Sequence, residues 1–469
     1  MRRLPVLLLA LVPAVVHAQR APVTSGQRPY VSVDAPVVAL THARVVDGTG
    51  AAAREDQTIV LRDGLIAASG PTTQVPIPAG ATVIDLAGHT VTPGFVGLHE
   101  HTYFSQGSRT TQMTTSGPLA YLALGLTTIR TGGSMFPYQE LNMQRAVQRG
   151  DLPGPRMHIT GPYLNGTAGV GSMNRGLASP AEARRVVAYW AEEGATWLKL
   201  QGNISRAIAA AVIDEAHKHR MQVTGHLCSL SFADAAAIGI DALEHGFITN
   251  SAYVPGKQPD VCPAENMRIQ ADVDGKSAEV QASIRDLVAK KVALTSTLAV
   301  YETFMADRAK LNPRAMELLA PDTRREVEVT HASLGKEGLI VPTRLLEKMM
   351  EWERDFVRAG GLLGAGVDPW GTGMLPGFGD LRNYELLVEA GFPPPEAIRI
   401  MSLNGATILR EQAQRGSIEP KKVADLVVIR GNPVATPSDI YNVVTVFRDG
   451  VGYDSAKLLA AAKGLVGVR

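Results

Sequence analysis

Between Ser179 and His245 strand and helix signals alternate with short connections, and this rhythm limits the fold more than any other feature of the chain. Ser179-Pro180-Ala181-Glu182 is a capping box with proline at the first helical position. Val186, Val187 and Trp190 give that helix an apolar face, and Gly194 ends it. Thr196 to Leu200 then reads as a strand, Ser205 to Arg220 as a helix and Gln222 to Gly225 as the next strand. Ser231 to Ile238 reads as a helix and Ala242 to Glu244 as a strand. Such a repeat builds a parallel sheet covered by helices.

Extending the rhythm in both directions adds Thr92 to Leu98, Leu126 to Arg130, Met157 to Thr160, Val292 to Thr297 and Leu362 to Val367. That makes eight candidate strands, the number that closes a (β/α)8 barrel, an α/β fold. Two connections are long, Thr249 to about Glu279 after strand six and Val300 to about Gly361 after strand seven, and both follow strand carboxyl ends, where active-site loops sit. Before Val91 the pattern changes to short β segments, Val37 to Val46, Thr58 to Ala68 with a turn at Asp63-Gly64, and Thr82 to Leu86. Matching segments, Asp425 to Ile429 and Val443 to Arg448, lie at the far end. The predicted organisation of the 469 residues is therefore a leader over 1–18, a small β-sandwich built jointly from 19–90 and 411–469, and the barrel over 91–410.

The 46 basic and 45 acidic residues nearly cancel, which leaves neither a nucleic-acid track nor an attraction to anionic membranes and points to a small-molecule partner. A homo-oligomer stays open. Met1-Arg2-Arg3, an apolar run from Leu4 to Val16 and the small residue Ala18 have the form of a signal peptide cut after Ala18, so the mature protein is expected in the periplasm or outside the cell. The alternative is a buried amino-terminal helix. Cys228 and Cys262 are the two cysteines, too few for a disulfide scaffold or a cysteine zinc cluster. They are expected as two separate buried thiols, with a bridge that pins the loop after strand six as the alternative.

Chemistry concentrates at the predicted strand ends. His99 and His101 flank Glu100 after the first strand, and side chains two apart on a strand point the same way, which makes the imidazoles a half-site for zinc, manganese or a similar ion. Lys199 is a charged residue inside the apolar strand Trp197-Leu198-Lys199-Leu200. Burial disfavours its ammonium form, and a neutral amine can capture carbon dioxide as an anionic carbamate able to bridge two cations; a structural ion pair is the competing reading. His226 ends strand five, His245 strand six and Asp368 strand eight. Each alone reads as an ordinary polar residue, but six groups of ligand type on one face of one barrel read as a metal site. The other histidines fall elsewhere: His17 in the leader, His42 and His89 in the accessory segments, His217 and His219 on a helix, His331 in an insertion, and His158 within strand three as a packed barrel residue.

The ordered motifs Pro93-Gly-Phe-Val-Gly-Leu-His99-Glu-His101, Gly125-Leu-Thr-Thr-Ile-Arg130, Leu198-Lys199-Leu200, Thr224-Gly-His226, Leu243-Glu-His245-Gly246 and Gly366-Val-Asp368 resemble the binuclear amidohydrolase superfamily. So does the tail, Asn404-Gly405-Ala406, Gly416-Ser417-Ile418-Glu419-Pro420 and Ala424-Asp425-Leu426-Val427-Val428. The branch it most resembles holds imidazolonepropionase-related hydrolases and carboxylysine Xaa-Pro dipeptidases. The resemblance implies two divalent ions, zinc first and manganese or similar second. His99, His101 and Asp368 would hold one, His226 and His245 the other, and carboxylated Lys199 would bridge them. It implies as catalytic residues Asp368, which takes the proton, together with Lys199 and His245. The implied reaction is cleavage of an amide C–N bond in a small peptide, N-acyl amino acid or cyclic amide by a metal-bridging hydroxide. Ester, lactone or phosphotriester hydrolysis uses the same centre, and a noncatalytic metal-binding barrel is a third reading. Two departures, Thr131 where the dipeptidases have Asp and Gln201-Gly202-Asn203 where they have a Thr-Gly-Gly loop, leave the substrate open.

Overall fold

The computed structural model describes residues 20–107, 109–167, 174–264, 266–336, 342–369 and 373–467. The expected leader, 1–18, lies outside them. Among the described residues no helix is long and apolar enough to cross a membrane.

The mixed α/β core follows the predicted rhythm. Ser179 accepts a hydrogen bond from the Glu182 N–H at 3.2 Å, Pro180–Glu193 form the helix, and Gly194 closes it with φ of 101°, a conformation glycine adopts without strain. Ser205 caps Arg206–Lys218, and Ser231 forms a reciprocal capping box with Asp234 on Phe232–Ala237. Eight parallel strand positions are filled in order by Phe95–Glu100, Leu126–Thr131, Arg156–His158 continuing as Thr160–Gly166, Trp197–Leu200, Gln222–Gly225, Ala242–Glu244, Ala293–Ser296 and Leu363–Ala365.

The expected single closed ring is not what the hydrogen bonds form. Among the described residues the ladders make two parallel sheets, one running through strands three, two, one, eight, seven and six, the other through Asn174–Leu177 and strands three, four and five. The third strand belongs to both. Its first part pairs with strand two, its second with strand four, and the chain passes between them at Ile159. Between strands five and six, Asp241 N–H donates to Val223 O at 3.1 Å without a continuing ladder. Side chains from strands one, four, six and seven nevertheless meet in one buried cluster of Val96, Leu98, Trp197, Ala242 and Ala293, closed below by Ala406 and Ile408.

The two chain ends, expected to build a small β-sandwich together, share one hydrogen-bonded nine-stranded sheet, with His89–Pro93 antiparallel to Leu426–Arg430. Apolar side chains of its strands, including Leu40, Val45, Ile59, Leu61, Leu426 and Val428, form a buried core of their own. The predicted first barrel strand, Thr92 to Leu98, is thereby divided at Gly94. A Cβ there would lie 2.2 Å from Thr127 Oγ1, so only glycine lets the chain cross from one sheet to the other at this point. Sequence patterning missed the division because both halves are extended and apolar.

Candidate metal centre

Four of the six predicted ligand residues approach one another from three strand ends. His101 Nε2 lies 2.8 Å from Asp368 Oδ1, His99 Nε2 3.6 Å from the same oxygen, and His245 Nε2 3.8 Å from Asp368 Oδ2. His99, His101 and Asp368 offer ligand atoms within 4.8 Å of one another. Lys199 Nζ is 3.3 Å from His99 Nε2 and donates to Gly132 O at 3.2 Å. His226 joins through its ring, 4.5 Å from that of His245 between centroids, and His245 in turn is 4.8 Å from His99. All six therefore gather on one face. Glu100, alternating with His99 and His101, faces away into a buried contact with Asp380, and burial together with that second carboxyl raises it well above the usual carboxylate range.

Backbone conformation directs two of these side chains. His245 has φ of 68° and Asp368 φ of 52°, the left-handed region in which strained functional residues concentrate. Two glycines make room for the rings. A Cβ at Gly132 would lie 2.1 Å from His99 Cδ2, and one at Gly366 2.4 Å from the His99 backbone nitrogen.

Behind the cluster stands a buried ionic layer that sequence reasoning did not assign. Glu244 Oε2 is 2.8 Å from His99 Nδ1, while its other oxygen accepts from Arg130 and from Thr224 Oγ1. Arg130 also lies over the Trp197 ring, 4.5 Å from its centroid. Burial alone would raise the Glu244 carboxyl, but Arg130, His99 and Lys199 outweigh it and hold the group well below the usual carboxylate range. An ionised Glu244 takes the proton of His99 Nδ1–H as a hydrogen bond and so leaves Nε2 as a lone-pair donor facing the cluster. Thr297 does the same for His245, its Oγ1 lying 2.7 Å from Nδ1. The signal for the first pair was present in sequence, an arginine and a glutamate each inside an apolar strand; nothing local to Thr297 marks it.

Burial sets the protonation states. It pushes the His226 imidazole down to about 4, helped by Lys199, and lowers His99 and His245 as well. It pushes the Lys199 ammonium down to about 8. Asp368, only partly buried by its exposed area, is raised by burial but held well below its usual value by His99, His101 and His245. Neutral imidazoles and one carboxylate are the donor set that binds a borderline divalent cation. His245 Nε2 supports that fit: it is buried, aimed at the cluster, and has no hydrogen-bond partner.

Thr131, at one departure from the dipeptidase pattern, is a brace. Its Oγ1 accepts from Thr160 N–H at 2.9 Å, which ties strand two to strand three. Gln201, Gly202 and Asn203, at the other departure, do line the cavity above the cluster. Cys228 and Cys262 also line it, and they form a disulfide with Cα atoms 4.9 Å apart. The expectation of two separate thiols is thus overturned: the loop after strand six folds back across the end of strand five. His158, expected as a packed barrel residue, is half-buried at the end of Arg156–His158, with Nε2 3.3 Å from Glu411 Oε1.

Residues 90–452 match the profile of the Amidohydrolase family. An imidazolonepropionase of Pseudomonas entomophila (strain L48) is 23% identical over 395 residues, spanning 82% of this chain and 90% of its own. Among solved structures, a bottromycin amidohydrolase superposes with a TM-score of 0.69 at 18% identity, covering 94% of each chain. A Xaa-Pro dipeptidase with methionine bound in its active site superposes at 0.64 and 19% identity, covering 89% of this chain and 100% of its own. The profile match, which spans all the parallel strands and the carboxyl-terminal strands of the accessory sheet, places this chain in the amidohydrolase family, as a hydrolase.

Proposed function

We propose that this hydrolase cleaves an amide C–N bond in a small peptide, N-acyl amino acid or cyclic amide at a centre of two divalent cations, zinc or a similar ion. The observation that carries the reading is the convergence of His99 Nε2, His101 Nε2 and His245 Nε2 on Asp368, with Lys199 Nζ beside His99 Nε2. His99, His101 and Asp368 would hold one ion and His226 and His245 the other. Lys199, partly neutral near pH 7 because burial brings its ammonium down to about 8, would be carboxylated and lie between them. Bound cations would supply Lewis acidity to the scissile carbonyl and acidify water toward neutral pH. Asp368, an ionised carboxylate among imidazoles, is placed to accept a proton from the attacking water and return it to the departing nitrogen. Glu244 and Thr297 hold His99 and His245 in orientation through the cycle.

The same reading takes the two parallel sheets as the staves of a (β/α)8 barrel. The shared third strand and the common buried cluster beneath the site support it. The segments 19–90 and 411–469 would be a companion domain. Export to the periplasm or beyond rests on residues 1–18 and is supported by the disulfide, which persists in oxidising compartments. The test is to purify the chain with bicarbonate and zinc or manganese, count metal per chain, and screen dipeptides, N-acyl amino acids, cyclic amides and lactones together. Metal-dependent C–N hydrolysis is the result expected; a chain that binds metal and opens only lactones or other esters would overturn it.

A further inference from the structure

The cavity over the cluster has a volume of about 610 Å³, room for a drug-sized molecule. Leu227, Ile248, Met267, Val300 and Phe304 make much of its lining apolar. Its polar groups away from the cluster are neutral: the amides of Asn165, Gln201, Asn203 and Asn266, the Thr249 hydroxyl, and the phenols of Tyr103 and Tyr163, whose hydroxyls lie 2.6 Å apart. Lys199 is the single cationic side chain that lines the cavity among the described residues, and it is engaged with His99 and Gly132. Arg268 shares a short helix with Asn266 and Met267, but it is exposed and does not line the cavity. By sequence, residues 108, 168–173, 265, 337–341 and 370–372 contain no lysine or arginine.

A carboxylate seated in the part of the cavity away from the cluster would give up its hydration and meet no lysine or arginine side chain there in return. A neutral amide meets apolar walls and hydrogen-bonding partners instead. We propose that the substrate is an uncharged amide, such as a lactam, an N-acyl amine or a peptide blocked at its carboxyl end, and that the cavity discriminates against free carboxylates. The inference deepens the hydrolase reading above and rests on it. It selects within the proposed substrate range, against free dipeptides and N-acyl amino acids.

The test uses the metal-loaded full chain and a matched pair, N-benzoylphenylalaninamide and N-benzoylphenylalanine, which share the benzoyl–nitrogen amide bond and differ in one charge, with turnover read as benzoate released from that bond. Calorimetric titration with each, at concentrations where turnover is slow, is expected to show the neutral compound binding at least about tenfold more tightly, with a matching ratio in kcat/KM. Equal affinities, tighter binding of the acid, or binding of neither would overturn the inference. A preserved binding preference with no hydrolysis of any amide in the wider panel would instead fault the hydrolase reading. An Arg268→Ala variant separates one further case: a carboxylate preference that disappears in that variant would show that this exposed arginine reaches the substrate.

Discussion

The two halves of the centre are held in different ways. On the His99 side, the ring is fixed by Glu244, which is itself fixed by Arg130 and Thr224, with Trp197 stacked beneath. On the His245 side a single hydroxyl, Thr297, orients one ring, and the wall next to His226 is tied down by the Cys228–Cys262 bridge. One half is braced by a buried ionic layer, the other by a threonine and a covalent link in the loops. The difference teaches that preorganisation here is concentrated where Asp368 meets His99 and His101, the half that would also handle a proton in the proposed reaction.

Breaking that half at its centre is expected to have the largest effect. Asp368→Asn keeps a side chain that tolerates the left-handed backbone at this position and retains a ligand oxygen, but the amide cannot take a proton. Turnover should fall about 10²- to 10⁴-fold while at least one metal stays bound. Steady-state kinetics beside elemental analysis checks this, and near-normal turnover would assign the proton to another base. Next comes Glu244→Ala, which strands the fully buried Arg130 guanidinium. A loss of about 3–5 kcal/mol in denaturant unfolding is expected, and a loss below 1 kcal/mol, on the order of a surface pair, would show that the ionic layer is not structural.

The lighter half should respond less. Replacing Cys228 and Cys262 together by serine releases a loop of sequence separation 34 and is expected to cost about 3–4 kcal/mol in the chain-entropy model. Before that, thiol titration of the denatured, unreduced protein should find no free thiol. Thr297→Val, nearly isosteric, removes only the partner of His245 Nδ1 and should weaken binding of one metal about tenfold with little change in unfolding. If Thr297→Val destabilised the fold as much as Glu244→Ala, the two halves would not differ as described.

Much of this site was legible in the chain because its ligands sit at strand ends, where period-two alternation and the βα rhythm give each side chain a direction. His99, His101, Lys199, His226, His245 and Asp368 were all found that way. What supports them was not, since Glu244 and Thr297 act across strands that are far apart in sequence, and their partners depend on register. The disulfide stayed an alternative for a related reason: Cys262 lies in a long loop whose return path follows from packing and not from local pattern. Gly94 shows the limit for the fold itself. Two sheets share one extended apolar run there, and a hydrophobic period of two cannot say where the first ends.

Lys199 is the group that would join the two halves, and the metal content of Lys199→Ala tests that claim most directly. Native chain and variant are loaded side by side in bicarbonate near pH 8, where burial has brought the lysine to its titration point and a large share of the amine is neutral. Lowering the pH to about 6 protonates that amine and should slow loading of the native chain but not of the variant. The account predicts about two ions per chain in the native protein and one or fewer in the variant. Two ions in both, loaded at the same rate, would contradict it.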